Sequence, residues 1–124
     1  MPDAEKKILI IDDSADWVRL LTTTLQKEGY KIEVAFDAIS AIRQALESNP
    51  NLIILDIRMP AGGGIRVLQN IRRSNKTFNL PVVVLTGVEE KEIRDEVEKL
   101  GVSGYLMKSA DTGELLKKIK EVLV

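Results

Sequence analysis

The stretch Leu52-Ile53-Ile54-Leu55-Asp56-Ile57-Arg58-Met59-Pro60-Ala61-Gly62-Gly63-Gly64 decides how this chain is to be read. Four apolar residues rich in isoleucine are too short a run for a helix and read as a buried strand. A single carboxylate, Asp56, stands at the strand's end. Met59-Pro60 and three glycines then predict a loop. Open α/β sheets bind their ligands in the crevice outside the carboxyl ends of their strands, so a charged residue there has a functional address. An aspartate after a strand can equally cap a turn, and only the rest of the chain separates the two readings.

Working outward, the same grammar recurs. Lys7-Ile8-Leu9-Ile10-Ile11 is a second continuous apolar strand, ending in Asp12-Asp13. Ser14 or Asp13 can cap the helix that follows, in which Val18, Leu21, Thr22 and Leu25 form one stripe and Gly29 is the stop. Tyr30 to Phe36 alternates, with Ile32 and Val34 on one face, as an edge strand does. Asp37 opens a helix to about Ser48, with Ile39, Ile42 and Leu46 as its apolar marks. Beyond the glycines, Ile65, Leu68 and Ile71 mark a helix to about Arg73. Leu80 to Leu85 is a fourth strand ending at Thr86-Gly87, and Pro81 is tolerable near its start. Glu89 to Leu100 is a charged helix with Ile93, Val97 and Leu100 inward, stopped by Gly101. Gly104 to Met107 is a short fifth strand ending at Lys108, and Asp111 or Thr112 opens a last helix. Strand and helix alternating five times predict an α/β fold, a parallel sheet covered on both faces with right-handed crossovers. No repeat, low-complexity tract or linker interrupts it, so residues 1–124 read as one domain.

Composition narrows the chemistry. The chain has 124 residues, a net charge of -1, no basic tract and 4% aromatic residues, which argues against nucleic-acid binding. Cysteine and histidine are both absent. Disulfides, thiolate zinc sites, histidine metal ligands and a Ser-His-Asp triad are thereby excluded. The lack of cysteine fits a cytoplasmic protein. No apolar run reaches the ~20 residues a membrane span needs, and the charged start is not a signal peptide.

Four strand ends carry polar groups: Asp12 and Asp13, Asp56, Thr86, and Lys108. In a parallel sheet these ends share one edge. Crowded carboxylates repel, and a hard divalent cation with oxygen ligands and open water positions, Mg²⁺, resolves the repulsion. Lys108 adds a positive charge and Thr86 a hydroxyl donor, so groups suited to a phosphoryl oxygen converge. Singly, each has a plain alternative as a cap, a turn or a solvated charge.

On these residues the chain resembles the receiver domain of the two-component response-regulator family. The matching features are Asp12-Asp13, Asp56 in an Asp-x-x-Met-Pro-x-x-x-Gly setting, Thr86 followed by a small residue, and Tyr105-x-x-Lys108. The resemblance covers Lys7 to Val124. It implies a flavodoxin-like, doubly wound five-stranded sheet of order 2-1-3-4-5. It implies that a partner histidine kinase or phosphotransfer protein phosphorylates Asp56. Asp13, Asp56 and the backbone carbonyl of Arg58 would hold Mg²⁺, with Asp12 assisting through water. Lys108 would pair with the phosphoryl group and Thr86 would hydrogen-bond it. Tyr105 would turn inward into the space Thr86 leaves, altering a surface read by a downstream effector. The bland reading of Tyr105 is a half-buried strand aromatic with a wet hydroxyl.

Two points set this sequence apart within the resemblance. Ser109 stands where proline usually follows the lysine, and the intrinsic cost of a cis bond before serine predicts a trans Lys108–Ser109 peptide. Arg58 and Val88 occupy variable positions expected to flank the mouth of the site, where Val88 would shield the phosphoryl group from water. Trp17, on the first turn of the first helix, is expected to report binding through its fluorescence. A non-phosphorylated relative of the fold would have lost Asp12, Asp13, Asp56 or Lys108, and all four are present. A small hydrolase or nucleotide binder would want a second catalytic acid near Asp56 or a glycine-rich loop after the first strand, where Asp13-Ser14-Ala15-Asp16 stands instead.

Overall fold

The purely apolar strands are the middle of a sheet buried on both sides. In a computed structural model, which describes residues 6–60, 63–87, 89–109 and 111–123, five strands and five helices alternate. They are β1 (Lys7–Ile11), α1 (Ala15–Lys27), β2 (Lys31–Ala35), α2 (Ala38–Glu47), β3 (Leu52–Leu55), α3 (Gly63–Arg73), β4 (Val82–Thr86), α4 (Lys91–Leu100), β5 (Gly104–Met107) and α5 (Thr112–Val122). All pairings are parallel and the order is β2-β1-β3-β4-β5, as the resemblance implied. β2 lies at one edge, which accounts for its alternating pattern.

The two-residue period of the strands sorts their side chains into two cores. Leu9, Ile11, Ile53, Leu55, Val82 and Val84 face α2, α3 and α4. Ile8, Ile10, Leu52, Ile54, Val83 and Leu85 face α1 and α5. Both cores demand apolar residues, so β1, β3 and β4 show no alternation at all.

Helix ends follow the expected chemistry. Ser14, rather than Asp13, is the N-cap of α1 and accepts from the Trp17 N–H. Asp37 caps α2 and Asp111, rather than Thr112, caps α5. Gly29 and Gly101 follow α1 and α4 with φ of 93° and 95°, the left-handed region that glycine enters without penalty.

Two expectations are corrected. The glycines after Pro60 were expected in a loop, but Gly63 and Gly64 form the first turn of α3. A Cβ on Gly64 would lie 2.4 Å from the Ile57 carbonyl oxygen, so the absence of a side chain lets the helix start against the backbone just past Asp56. In α2 the inward face is Ala41 and Ala45, while Ile39 is 82% exposed. Small residues allow α2 to approach the sheet and α3 closely, and Ile42 contributes only its margin to that core. Smaller shifts concern β4, which begins at Val82 just after Pro81, and α4, which begins at Lys91 rather than Glu89.

Candidate functional site

Strand register brings the two aspartates together. Ile11 pairs with Leu55, so Asp12 and Asp56 emerge side by side one residue later. The Asp56 N–H donates to the Ile11 carbonyl at 2.8 Å, and the Asp12 N–H donates to the Ala35 carbonyl at 3.1 Å, extending the ladder under both residues. Asp12 and Asp56 are 2% and 5% exposed, whereas Asp13, one residue further, is open to solvent. Each buried carboxylate also receives a backbone N–H from two residues on: Ser14 to Asp12 Oδ1 at 2.9 Å, and Arg58 to Asp56 Oδ1 at 3.0 Å.

Lys108 comes from the far side of the same edge. Thr86 pairs with Met107, and the Lys108 N–H donates to the Thr86 carbonyl at 2.7 Å, so β4 and β5 end together. The ammonium reaches across β4 to Asp12 Oδ2 at 2.8 Å and Asp56 Oδ2 at 3.5 Å. No cis peptide occurs among the described residues, so Lys108–Ser109 is trans as expected. Thr86 is fully buried at the end of β4. Burial, above all, raises the pKa of Asp56; the Arg58 N–H opposes this, Asp12 adds to it, and Lys108 opposes it.

One carboxylate oxygen each from Asp12, Asp13 and Asp56 lies within 4.8 Å of the others. Three hard oxygen donors of like charge, one of them facing solvent, fit a Mg²⁺-type ion and the water it retains. Arg58 is exposed beside them, with Asp13, Met59 and Ile93 lining the same open cleft. Val88, expected at the mouth, lies outside the described residues.

Tyr105 sits two residues before that edge, on β5 opposite Val84. Its hydroxyl is enclosed, without a hydrogen-bond partner among the described residues, so the wet-hydroxyl reading is corrected. The Arg94 guanidinium lies 5.0 Å from the ring centroid and is itself held by Glu89 at 2.6 Å and Glu98 at 3.3 Å. Burial chiefly, then the charge of Glu89, raises the phenol's pKa.

Three contacts were not foreseen from the sequence. Arg58 forms an ion pair with Glu90 across the mouth. Arg94 covers Tyr105. Trp17, expected near Asp13, presents its ring to the Lys108 ammonium at 5.3 Å from the centroid. Helical spacing hinted at the Arg94–Glu98 pair, but the other contacts join elements that only the sheet order makes neighbours.

The model of the response regulator receiver domain matches residues 8–120. The chain belongs to the response regulator receiver family. Such domains are phosphorylatable switches of two-component systems, and they generally bind Mg²⁺. This receiver is 36% identical over 119 residues to the transcriptional regulatory protein ResD of Bacillus subtilis, an alignment covering 96% of this chain and 48% of that protein. It is 33% identical over 118 residues to the phosphate regulon transcriptional regulatory protein PhoB of Escherichia coli, covering 95% and 52%. The receiver thus spans about half the length of these curated relatives. Among solved structures, Vibrio cholerae chemotaxis protein CheY4 superposes with a TM-score of 0.88 at 30% identity, covering 96% of this chain and 99% of that one. A CheY-like receiver domain protein from Methanospirillum hungatei gives 0.89 at 28% identity, covering 96% and 94%. No helix among the described residues is long and apolar enough to cross a membrane.

Proposed function

We propose that this receiver, taken as one unit over residues 1–124, accepts a phosphoryl group on Asp56 from a partner phosphohistidine and thereby switches a partner-binding surface. The observation that carries the reading is the approach of Lys108 Nζ to both Asp12 and Asp56 beside a solvent-facing third carboxylate. A carboxylate oxygen of Asp56 attacks phosphorus, the P–N bond to the donor imidazole breaks, and an acyl phosphate forms. Asp13, Asp56 and the Arg58 carbonyl would hold Mg²⁺, with Asp12 assisting through water, and the bound ion would supply neutralisation of the developing charge. Lys108 neutralises the phosphoryl oxygens from the opposite side, and the Thr86 hydroxyl donates to one of them. Water attack on the acyl phosphate later breaks its C(O)O–P linkage, releases inorganic phosphate and returns the Asp56 carboxylate, so the domain is a switch that assists its own resetting.

The switch follows from the same groups. A phosphoryl group draws Thr86 toward the edge, and Tyr105 packs into the volume it leaves, changing the face made by α4, β5 and α5. The donor is a histidine kinase or a phosphotransfer protein, and the reader is an effector protein or domain. The reading includes a cytoplasmic setting, with no contact of this domain with nucleic acid or membrane. The experiment is incubation with acetyl phosphate and Mg²⁺, followed by mass measurement. A labile phosphoryl adduct, absent without Mg²⁺ and absent in Asp56→Asn, is expected. An adduct that survives Asp56→Asn would overturn the assignment.

A further inference from the structure

We infer that Trp17 is a positioning residue for Lys108, its indole face forming the uncharged wall that holds the ammonium over the site. The inference rests on the proposed role of Lys108 in pairing with the phosphoryl group. Lysine carries its charge on a flexible four-carbon stem and does not aim itself. Among the described residues the Lys108 ammonium lies against three groups: Asp12 Oδ2 at 2.8 Å, Asp56 Oδ2 at 3.5 Å, and the Trp17 ring, whose centroid is 5.3 Å away. That separation is within the ≈ 6 Å over which a ring quadrupole attracts a cation.

The three neighbours differ in what the reaction does to them. Asp56 is the group whose charge and size change when it is phosphorylated. Asp12 is one of the carboxylates clustered for a divalent cation. Only the Trp17 ring keeps the same charge distribution before and after transfer, so only it offers Lys108 a constant attraction. The ring is set for this task by its own surroundings. Its backbone N–H donates to the Ser14 cap at 3.4 Å, which fixes it on the first turn of α1 beside Asp12-Asp13. Its body packs among the apolar residues between α1 and α5, with Leu21, Leu85, Leu106 and Leu115 around a small hollow that Lys108 also lines.

The indole N–H is the telling atom. Nε1 is buried and has no hydrogen-bond partner among the described residues. A buried donor left unpaired costs free energy, and tryptophan ordinarily orients so as to satisfy it. Here the ring instead keeps its face toward the ammonium. Packing against the α1–α5 core and approach to the ammonium go together in this orientation.

The test uses the full chain and its one tryptophan. Emission of Trp17 is recorded in the unphosphorylated protein and in Lys108→Met, without metal. If the ring faces the ammonium, the emission maximum and yield change when the charge is removed. Initial rates of Asp56 phosphorylation by acetyl phosphate with Mg²⁺ are then measured for Trp17→Phe and Trp17→Leu, each confirmed folded by its melting transition, and for both substitutions in the Lys108→Met background. The expected result is a loss of about fivefold in Trp17→Leu, the size of a partly exposed cation–π contact. Trp17→Phe should recover most of the rate. Trp17→Leu should cost nothing further once Lys108 is gone, because the two residues act as a unit. Equal losses in both backgrounds would make Trp17 a structural residue only and overturn the inference, as would emission indifferent to Lys108→Met. If the parent itself takes no phosphoryl group on Asp56, the proposed function fails and this role fails with it. An unchanged emission in a chain that is phosphorylated normally removes the positioning role alone.

Discussion

The two sides of the site are built differently. On the β1–β3 side, Asp12 and Asp56 are buried, tied by backbone hydrogen bonds beneath and beside them, and backed by α3 pressed against Ile57. On the β4–α4 side, Val97 anchors α4 in the core, but the polar contacts at the surface are the exposed ion pairs Arg58–Glu90, Arg94–Glu89 and Arg94–Glu98, near an enclosed phenol that has no partner among the described residues. Backbone ladders and close-packed backbone resist displacement, whereas exposed ion pairs are worth little and exchange readily. A domain that must receive a group at one place and report it at another gains from that division. In the proposed switch, the receiving side would stay fixed while the reporting side moves.

The largest effect expected is at Asp56. Asp56→Asn should abolish phosphoryl acceptance, read as loss of the adduct, and yet melt higher than the parent at neutral pH. Burial raises the Asp56 pKa in the folded state above its ordinary 3.8, so between those values the folded protein binds more protons than the unfolded chain. Stability therefore falls as pH rises through that window, and the penalty is constant above it. Asparagine carries no such penalty and can still accept the Arg58 N–H. A gain of about 1 kcal/mol, a few degrees in melting temperature, is expected at neutral pH. The gain should vanish below pH 3.8, where both versions are uncharged. A difference that persists in acid would mean the charge is not its source.

Next is Gly64→Ala. Alanine favours a helix by about 1 kcal/mol over glycine, but a Cβ here meets Ile57 Cα and its carbonyl at 2.4–2.6 Å. Backbone cannot step aside cheaply, so a net loss of about 2 kcal/mol is expected on urea unfolding. Gly63→Ala is the control, because its Cβ would meet only ordinary contacts at 3.5 Å. If both alanines are tolerated alike, the β1–β3 side is not as rigid as its packing indicates.

What the sequence revealed and what it concealed divide along the same line. The strands, their order of use and every polar strand end were legible, because buried parallel strands have to be apolar throughout and a carboxylate ending such a run stands out. Asp12, Asp56 and Lys108 meet where strand ends predicted. Features that depend on close approach were not legible. Gly63 and Gly64 read as loop residues because glycine signals freedom in a sequence, while here it serves the contact with Ile57. Ile39 read as an apolar mark of its helix while Ala41 and Ala45 drew no reading, because a helix face chosen for small size has no hydrophobic signature. The Arg58–Glu90, Arg94–Tyr105 and Trp17–Lys108 contacts join side chains 32, 11 and 91 positions apart, and no local pattern encodes such pairs.

On the β4–α4 side, Tyr105→Phe should stabilise the domain. The hydroxyl is enclosed and unpaired, and such a group costs about 1–3 kcal/mol. The ring remains beneath Arg94, so most of the packing survives. A gain of about 1 kcal/mol in chemical denaturation is expected, with the effect widening in strong base. The folded-state pKa of the phenol is raised above 10.0, so the parent loses stability as pH climbs past that value while the phenylalanine variant has no phenol there to charge. A loss of stability would show that the hydroxyl has a partner that holds it, and that this side is fixed rather than balanced.

The smallest effect should come from Glu90. It is the N-cap of α4, yet its side chain makes no capping hydrogen bond and pairs instead with Arg58, both side chains being 44% exposed. Glu90→Gln removes the charge and keeps the shape, so the unmodified protein should lose no more than about 0.5 kcal/mol. That loss should disappear near 1 M salt, where charges are screened beyond about 3 Å. The consequence for the switch is larger than the consequence for stability. Arg58 stands two residues after Asp56, and an anion on Asp56 competes with Glu90 for the guanidinium. Without Glu90 that competition is over before it begins, and beryllofluoride, a mimic of the phosphoryl group, should bind about two- to threefold more tightly, the binding counterpart of those few tenths of a kcal/mol. A stability loss above about 2 kcal/mol in Glu90→Gln, with no gain in affinity, would give the pair the character of the buried aspartates. The two sides of the site would then be equally fixed, and the movement that reports phosphorylation would have to arise elsewhere than at the start of α4.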